Sequence, residues 1–337
     1  MKHLDSLKQI AAAMVAPGKG ILAADESTPT IGKRFATINT ESTEESRRTY
    51  REMLFTAEGM EDHIGGVIMF DETLRQSTKE GVPFPKLLAD KGVVPGIKVD
   101  MGAKDLVNFP GEKWTQGLTN LRERLSEYYD LGARFAKWRA VITIGDNMPS
   151  KHCMQVNAQA LAMYAALCQE AGIVPIVEPE VLMDADNTLE RCDEVTSEML
   201  DLVFKELETH RVALEGIVLK PNMIVSGKAC GTQADCNAVA EATVNTLKKY
   251  VPASVPGIAF LSGGQSSIDS TKHLDAMNKI GDLPWSLTFS YGRALQADAL
   301  QAWSGNNDNL AAGQAAFMKR AKLNSLAAEG QYSMDME

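Results

Sequence analysis

Short apolar runs alternate with longer amphipathic segments along most of the chain. A strand that is buried on both faces has a continuous apolar sequence rather than an alternating one. Each run therefore predicts one strand of a parallel sheet. Eight such runs recur, at residues 18–25, 63–73, 93–102, 133–139, 172–180, 216–222, 257–266 and 286–296.

The segments between the runs carry apolar residues at the spacing of an amphipathic helix. In the segment 43–59, Thr43 is a predicted N-cap and Gly59 a predicted end. Residues 26–35 and 81–85 are instead rich in Pro and Gly, and we interpret them as loops. The predicted helices lie at about 2–16, 43–59, 115–131, 152–171, 194–209, 232–250, 267–280 and 295–328.

Repeated strand–helix units predict an α/β fold, a closed (β/α)8 TIM barrel. Strands that alternate with helices indicate a parallel sheet. An open doubly wound sheet is the competing architecture, but no GxGxxG follows the first run to support nucleotide binding. We expect a single TIM-barrel domain over 1–337, with a barrel core at about 18–303. An extra N-terminal helix precedes this core, and a C-terminal helical segment with a tail follows at about 304–337.

Composition narrows the class of protein. The chain has 337 residues, 45% of them of hydrophobic types, and a net charge of −10, which argues against a general nucleic-acid binder. No run approaches the roughly 20 apolar residues that cross a bilayer, so we expect no membrane contact. Charges and a Pro-Gly pair interrupt the N-terminus too early for a signal peptide. The five cysteines form no CxxC pair, which favours reduced thiols and a cytoplasmic protein.

The histidines argue against a metal centre. There are five, and they are scattered without HxH or HExxH spacing. We therefore expect neither a metal nor another cofactor.

Charged and small polar residues stand at the carboxyl ends of nearly all the predicted strands. In TIM barrels the chemistry occurs at these ends and in the loops that follow them. Packing alone does not require ionisable groups on one rim, so we interpret the set as a functional site. Its predicted members are Asp25, Lys98, Lys137, Arg139, Glu178, Glu180, Lys220, Ser262, Gly263, Gly264, Gly292 and Arg293.

Lys220 is the candidate nucleophile of this site. It ends the apolar part of the run GIVLKPN, and lysine is rarely buried without a partner. Burial and neighbouring cations lower the pKa of a lysine, and a neutral amine forms a Schiff base with a ketone. Nearby carboxyl groups would protonate a departing hydroxyl and take a proton from a substrate hydroxyl. A strand-end lysine that only reaches solvent is the competing interpretation, and the charged neighbours argue against it.

The basic residues of the rim indicate an anionic substrate, although the whole chain is acidic. LSGGQS and SYGRALQ end the last two runs with glycines before a helix. Such glycines let backbone N–H groups approach a phosphate, and TIM barrels often bind phosphate after strands seven and eight. The predicted basic residues are Lys33, Arg34, Lys98, Lys137, Arg139 and Arg293.

A series of motifs resembles a known family. The chain carries, in order, GILAADES, GIKVD, FAKWR, VPIVEPE, LKPN, LSGGQS and SYGRALQ. Together they resemble class I fructose-bisphosphate aldolase, over about residues 19–332. The resemblance implies reversible, metal-independent cleavage of fructose 1,6-bisphosphate to glycerone phosphate and glyceraldehyde 3-phosphate, in glycolysis, gluconeogenesis or the Calvin cycle. It also implies a homo-oligomer, since the family often forms tetramers.

The resemblance also implies roles for individual residues. Lys220 of LKPN matches the Schiff-base lysine, Glu178 of VEPE the acid/base of dehydration, and Asp25 of AADES the base of carbon–carbon cleavage. Lys137 of FAKWR is expected to assist proton transfer and stabilise charge. Supporting roles fall to Arg139 and Glu180, the 1-phosphate to Ser262, Gly263, Gly264, Gly292 and Arg293, and the 6-phosphate end to Ser27, Lys33, Arg34 and Lys98.

Two features depart from the family pattern. Pro29 and Thr30 stand where many relatives have a Gly-Ser pair, so the 6-phosphate loop is expected to differ. The sequence stops at Glu337, whereas well-studied animal members continue and finish on a tyrosine thought to aid proton exchange. Tyr332 lies too early to be equated with that tyrosine, and the sequence names no candidate for its role.

Alternative functions stay open on the sequence alone. A transaldolase or a deoxyribose-phosphate aldolase shares the lysine chemistry but needs one phosphate site rather than two. A metal-dependent aldolase would need clustered histidines. A non-catalytic scaffold would not need the set Asp25, Lys137, Glu178 and Lys220. The sequence also does not set the preference among fructose 1,6-bisphosphate, fructose 1-phosphate and sedoheptulose 1,7-bisphosphate.

Overall fold

Parallel strands close into a barrel in the computed structural model, which describes residues 3–337. The strands are β1 (Gly20–Ala24), β2 (Ile64–Met69), β3 (Val94–Lys98), β4 (Ala103–Asp105), β5 (Lys113–Thr115), β6 (Phe135–Ile142), β7 (Val174–Val181), β8 (Val218–Leu219), β9 (Gly257–Phe260) and β10 (Ser286–Tyr291). All but β4 and β5 form the barrel, in the order β1-β10-β9-β8-β7-β6-β3-β2. The predicted (β/α)8 TIM barrel is therefore confirmed.

Helices lie between the barrel strands and at both ends of the described chain. They are α1 (Leu4–Met14), α2 (Thr28–Ala36), α3 (Glu44–Phe55), α4 (Asp71–Leu74), α5 (Phe84–Asp90), α6 (Leu121–Asp130), α7 (Lys151–Glu170), α8 (Leu189–Thr209), α9 (Cys236–Tyr250), α10 (Ser267–Ile280), α11 (Arg293–Trp303) and α12 (Leu310–Ala328). Within residues 3–337, none of them combines the length and the apolar character needed to cross a membrane. The assignment of 1–337 to a single domain stays a prediction.

Apolar side chains fill the barrel interior at its amino end. Leu7, Ala11 and Met14 of α1 belong to this cluster, so the first helix closes the amino end of the barrel. The strands contribute Ile21, Ala23, Ile68, Phe135, Val174, Ile176, Val218 and Ala259. Within the described residues this end is packed, so the active-site cleft opens at the carboxyl ends of the strands.

A second, larger apolar layer lies between the strands and the helices. On β6, Trp138 points into this layer, and its ring centroid lies 5.5 Å from that of Tyr164 on α7. Successive side chains of a strand point to opposite faces. Lys137 and Arg139, on either side of Trp138, therefore point to the barrel interior and its carboxyl rim.

The prediction of a loop at residues 26–35 is wrong. Helix α2 begins at Thr28, with Pro29 in its first turn. The first N–H groups of a helix have no intrahelical partner, and the fixed φ of proline suits this position. The predicted loop at 81–85 is correct for residues 81–83, whereas α5 begins at Phe84 with Pro85 in its first turn. In both segments the proline marked the start of a helix.

Other element boundaries differ from the predictions. The helix predicted at 115–131 begins only at Leu121, after the small antiparallel pair of β4 and β5. The helical segment at 295–328 is divided into α11 and α12, because Ser304 and Gly305 adopt positive φ angles. Thr43 is the N-cap of α3, as predicted, and forms a capping box with Ser46. Residue 2 of the predicted first helix lies outside the described residues.

Candidate active site

Four buried ionisable side chains form a row of ion pairs at the carboxyl end of the barrel. The ammonium of Lys137 lies 2.7 Å from the carboxylate of Asp25 and 3.5 Å from one oxygen of Glu178. The other oxygen of Glu178 lies 3.3 Å from the ammonium of Lys220. All four residues are less than one-tenth exposed. Acids and amines therefore alternate in the order Asp25, Lys137, Glu178, Lys220.

Strand register explains why these side chains meet. β3 and β6 pair Lys98 with Lys137, so both amines end at the same height. The N–H of Lys220 donates a hydrogen bond of 2.8 Å to the carbonyl of Val177, the residue before Glu178. Neighbouring strands thus deliver an amine, a carboxylate and a second amine to one point of the rim. The sequence prediction that strand ends converge there agrees with this geometry.

Asp25 is an ionised carboxylate at neutral pH. Burial alone would raise its pKa, but the ammonium groups of Lys137 and Lys220 outweigh burial and lower the pKa from 3.8 to about 2. A buried carboxylate that stays ionised is available to accept a proton from a substrate hydroxyl.

Lys137 remains a cation, contrary to the expectation that burial and neighbouring amines would lower the pKa of the rim lysines. Burial does act in that direction, but the carboxylates of Asp25, Glu178 and Asp100 outweigh it and hold the pKa of Lys137 above its usual value. The carboxylates of Asp25 and Glu178 lie 2.7 and 3.5 Å from the Lys137 ammonium, close enough to outweigh the neighbouring amines. Lys137 is therefore suited to stabilise negative charge rather than to act as a nucleophile.

Glu178 is the link between the two amines. Both of its oxygens face an ammonium group, and its Oε2 atom forms no hydrogen bond within the described chain. A buried polar atom without a hydrogen bond is unfavourable unless a ligand or a reacting group supplies the missing hydrogen bond. This arrangement suits a carboxyl group that exchanges protons with groups on the neighbouring Lys220.

A cleft of about 480 Å³ opens above this row. The predicted site residues that line it are Asp25, Ser27, Arg34, Lys98, Lys137, Arg139, Glu180, Lys220, Ser262, Gly263, Gly264, Gly292 and Arg293. Glu178 does not line the cleft itself but contacts Lys137 and Lys220, which do. Lys33 is exposed and lies outside the cleft.

One side of the cleft carries cations that are held by acids. The Lys98 ammonium lies 2.6 Å from the Asp100 carboxylate, and Arg139 pairs with Glu180. Ser27 also lines this cleft, and its hydroxyl lies 3.1 Å from that of Thr30. These contacts fix the orientation of Lys98 and Arg139 before any anion approaches.

The other side is formed by the loops after β9 and β10. Gly263 and Gly264 adopt φ angles of +60° and +99°, which L-residues with side chains rarely adopt. Arg293 is the first residue of α11, whose N-terminus favours anions, and its Nη2 atom would lie 3.4 Å from a Cβ on Gly264. The guanidinium of Arg34 also lies here, because a Cβ on Gly292 would be 3.6 Å from its Nη2 atom. The sequence had assigned Arg34 to the opposite end.

Sequence reasoning missed several polar residues of the cleft. Glu26 is buried and pairs with Arg34, while Asp184 and Lys228 line the cleft as a further ion pair. Glu26 directly follows Asp25 at the end of β1, and this adjacency was an available signal. Lys228 lies in an irregular loop after β8, and nothing in its local sequence marks its position.

Metal-ligating side chains do not cluster in the described part of the chain. No group of three or more His, Cys, Asp or Glu residues there has the proximity needed to hold a metal ion. The polar groups of the cleft are instead arranged as pairs of opposite charge.

Comparisons with known proteins agree with this arrangement. A family model described as fructose-bisphosphate aldolase class-I matches residues 6–337. A probable fructose-bisphosphate aldolase class 1 of Xanthomonas campestris pv. campestris is 56% identical over 330 residues, which cover 98% of this chain and 99% of that protein. The cytosolic fructose-bisphosphate aldolase 5 of Arabidopsis thaliana is 53% identical, over 98% of this chain and 93% of that protein.

A solved structure is also similar. The fructose-bisphosphate aldolase of Plasmodium falciparum superposes with a TM-score of 0.97 at 46% identity, covering 98% of this chain and 96% of that chain. The extent of the family match and the identity of these relatives place the chain within one family. The chain belongs to the class I fructose-bisphosphate aldolase family.

Proposed function

We propose that this chain catalyses the reversible aldol cleavage of fructose 1,6-bisphosphate to glycerone phosphate and glyceraldehyde 3-phosphate, with Lys220 as the Schiff-base lysine. The observation that carries the assignment of Lys220 is its ion pair with Glu178, 3.3 Å away, together with its position in the lining of a cleft that also carries other cations. Family membership supports the reaction.

Schiff-base formation requires an amine and a proton donor side by side. In the proposed step, the Lys220 ammonium first gives a proton to the Glu178 carboxylate, and the neutral Nζ attacks the C2 carbonyl carbon of the ketose. A second proton moves from Nζ to the carbonyl oxygen, which becomes the hydroxyl of a carbinolamine. Glu178 then gives a proton to this hydroxyl, which leaves as water while the C2–N bond becomes an iminium. The contact between Glu178 and Lys220 gives the proton a short path.

Carbon–carbon cleavage requires a base at the C4 hydroxyl. In the proposed step, Asp25 takes this proton, C4 becomes the aldehyde carbon, and the C3–C4 bonding electrons move to the iminium to give an enamine. Lys137 lies 2.7 Å from Asp25 and carries the positive charge that stabilises the developing negative oxygen. Protonation of the enamine carbon and hydrolysis then release glycerone phosphate.

Cations at two places in the cleft favour a bisphosphate over a monophosphate. We assign the 1-phosphate to Ser262, Gly263, Gly264, Gly292, Arg293 and also Arg34, because Arg34 lies beside Gly292. We assign the 6-phosphate to Ser27, Lys98 and Arg139. A transaldolase or a deoxyribose-phosphate aldolase needs one such site, so the second group of cations distinguishes the proposed function from these alternatives.

We also propose a homo-oligomer and a cytoplasmic location. The Arabidopsis relative is named as cytosolic, and all five cysteines of this chain are free thiols, as expected in a reducing compartment. Multi-angle light scattering of the purified protein measures the oligomeric state, and a monomeric mass would contradict the first part of this proposal.

Borohydride trapping tests the Schiff base. Reduction in the presence of glycerone phosphate should attach the three-carbon unit to Lys220, identified by peptide mass spectrometry. Lys220→Met should form no adduct and lose cleavage activity while it unfolds at a temperature similar to the wild type, because Glu178 keeps its contact with Lys137. Lys205→Met is the matched control, since Lys205 is exposed on α8, and it should retain both properties.

The alternatives predict other outcomes. An unlabelled Lys220 in active protein would refute the proposed mechanism, and loss of activity in EDTA would indicate metal-dependent chemistry. Steady-state rates on fructose 1,6-bisphosphate, fructose 1-phosphate and sedoheptulose 1,7-bisphosphate establish the substrate preference.

A further inference from the structure

Lys228 lies in the loop after β8 and lines the active-site cleft. A series of backbone hydrogen bonds connects this loop to the loop that follows β7. The N–H groups of Gly227, Lys228 and Ala229 donate to the carbonyls of Asn187, Met183 and Ala185, at 2.8, 2.8 and 2.9 Å. The backbone of Lys228 is therefore fixed relative to the β7 end, which also carries Glu178.

The close approach of these two loops depends on Gly227. A Cβ at this position would lie 2.2 Å from the carbonyl oxygen of Ala185, which is far inside van der Waals contact. Only glycine lets the two loops approach closely enough to form these hydrogen bonds. The hydrogen bonds then hold the Lys228 backbone in place, so its side chain projects from a fixed position.

The ammonium of Lys228 lies beside the glycines of the proposed 1-phosphate site. A Cβ built on Gly264 would be 2.6 Å from the Nζ atom of Lys228 and 3.4 Å from the Nη2 atom of Arg293. Two cationic groups thus flank the same point of the Gly263-Gly264 backbone. This convergence resembles the way in which phosphate groups are bound in proteins, by backbone N–H groups together with lysine and arginine.

Asp184 holds this ammonium in the absence of a stronger anion. Its carboxylate lies 2.5 Å from the Nζ atom, and both side chains are about half exposed, at 42% for Lys228 and 62% for Asp184. Exposed ion pairs contribute little to stability, since water screens them. A phosphate dianion that is also bound by Arg293 would therefore compete well for the Lys228 ammonium.

We propose that Lys228 is an additional ligand of the substrate 1-phosphate, and that its ammonium exchanges the Asp184 carboxylate for a phosphate oxygen when substrate binds. The inference rests on the proposed function, because it assigns the loops after β9 and β10 to the 1-phosphate. Lys228 acts on binding and takes no part in the covalent steps. It is a specificity-determining residue for ketoses phosphorylated at C1.

Lys228→Met tests the contact, because methionine keeps the length of the side chain without the charge. We expect KM to rise about tenfold for fructose 1,6-bisphosphate and by the same factor for fructose 1-phosphate, as for the loss of one partly exposed charged hydrogen bond. The kcat value and the borohydride adduct on Lys220 at saturating substrate should be unchanged.

Two further variants should not show the rise in KM expected for Lys228→Met. Asp184→Asn removes the competing carboxylate and should lower KM by about threefold. Lys228→Arg keeps the charge and should restore KM to within about threefold of the wild type. Lys272→Met is the matched control, since Lys272 lines the adjacent cavity that shares Lys228 but lies outside the catalytic cleft. Its KM should equal that of the wild type.

Calorimetry with glycerone phosphate separates this proposal from the Schiff-base chemistry. In the Lys220→Met background no covalent adduct forms, and adding Lys228→Met should still raise the Kd about tenfold. An unchanged Kd, or the absence of binding in both proteins, would overturn the proposal. A rise in KM for the bisphosphate alone would also overturn it, because that result would assign Lys228 to the 6-phosphate.

Discussion

Replacing Lys137 by methionine should destabilise the protein and reverse the pH dependence contributed by Asp25. Lys137 is the only cation that contacts both Asp25 and Glu178 in the row described above. Glu178 keeps the neighbouring ammonium of Lys220, 3.3 Å away. Asp25 loses its nearest cation and becomes a buried carboxylate without a close partner.

The size of the effect follows from the distances. At an effective dielectric constant of about 20, unit charges 2.7 Å apart attract by about 6 kcal/mol, and charges 3.5 Å apart by about 5 kcal/mol. Desolvation offsets much of this attraction, and removing one partner of a buried pair typically costs about 3–5 kcal/mol. The lowering of the Asp25 pKa from 3.8 to about 2 corresponds to about 2 kcal/mol. We expect Lys137→Met to lower the free energy of unfolding by about 3 kcal/mol.

The direction of the Asp25 pKa shift determines how the free energy of unfolding changes with pH. In the wild type the folded pKa of Asp25 is lowered, so this group stabilises the fold above about pH 4, and the contribution is lost as the pH falls toward 2. Without Lys137, burial is the dominant effect and raises the pKa of Asp25. The group then stabilises the fold at low pH, and the contribution is lost as the pH rises. The stability difference between variant and wild type should therefore shrink between pH 7 and pH 5.

A double variant supplies the control. Asp25→Asn removes the unpaired carboxylate, so Lys137→Met/Asp25→Asn should recover about 2 kcal/mol relative to Lys137→Met. Thermal unfolding followed by circular dichroism at pH 7 and pH 5 measures these differences, with an expected fall of roughly 4 °C for the single variant at pH 7 in a chain of 337 residues. A Lys137→Met variant that unfolds at the wild-type temperature, or a double variant no more stable than the single one, would refute the proposed ion-pair contribution.

Two further predictions concern the fold. Gly96→Ala should destabilise the barrel by about 1–3 kcal/mol, since its Cβ would lie 2.2 Å from the ring of Phe135. Denaturant unfolding measures this, and Gly96→Ala/Phe135→Leu should recover part of the loss, whereas an unaffected single variant would show that the ring moves freely. Thr43→Ala should cost about 1 kcal/mol, because it removes the Thr43 hydroxyl that accepts a hydrogen bond from the Ser46 N–H in the capping box. Thr43→Ser should keep the wild-type midpoint, and equal midpoints for the two variants would contradict the capping explanation.

The barrel was predictable because parallel strands that are buried on both faces leave a strong sequence signal. Strand β7 is a clear case, since Val174–Val181 is buried along its whole length and carries Glu178 and Glu180 in its last four residues. β8 was found by the same signal even though only Val218 and Leu219 form the strand. Residues on both sides of this short strand are also buried. The continuous apolar sequence therefore reflects burial rather than the length of the strand.

The directions of the α2 side chains could not be predicted from the sequence, because the segment was interpreted as a loop. Without a helix, the sequence does not indicate which residues share a face. Lys33 and Arg34 are adjacent, so the loop interpretation predicts that both side chains face the same part of the site. In a helix, neighbouring residues project about 100° apart, and here Arg34 reaches the cleft and Glu26 while Lys33 stays exposed. A loop gives no basis for separating Lys33 from Arg34, whereas a helix that begins around Pro29 directs the two side chains differently.

Ion pairing was the second property that the sequence did not reveal, and it changes how the cleft binds an anion. Counting cations suggested a strongly positive site, yet Lys98, Arg34 and Lys228 each contact a carboxylate. Among the described residues, the cleft cation that forms no such pair is Arg293. Phosphate binding must therefore exchange carboxylates for phosphate oxygens, with Arg293 able to make the first contact. Because the paired carboxylates hold the cations in place, the cleft is oriented for its substrate within a chain whose net charge is negative.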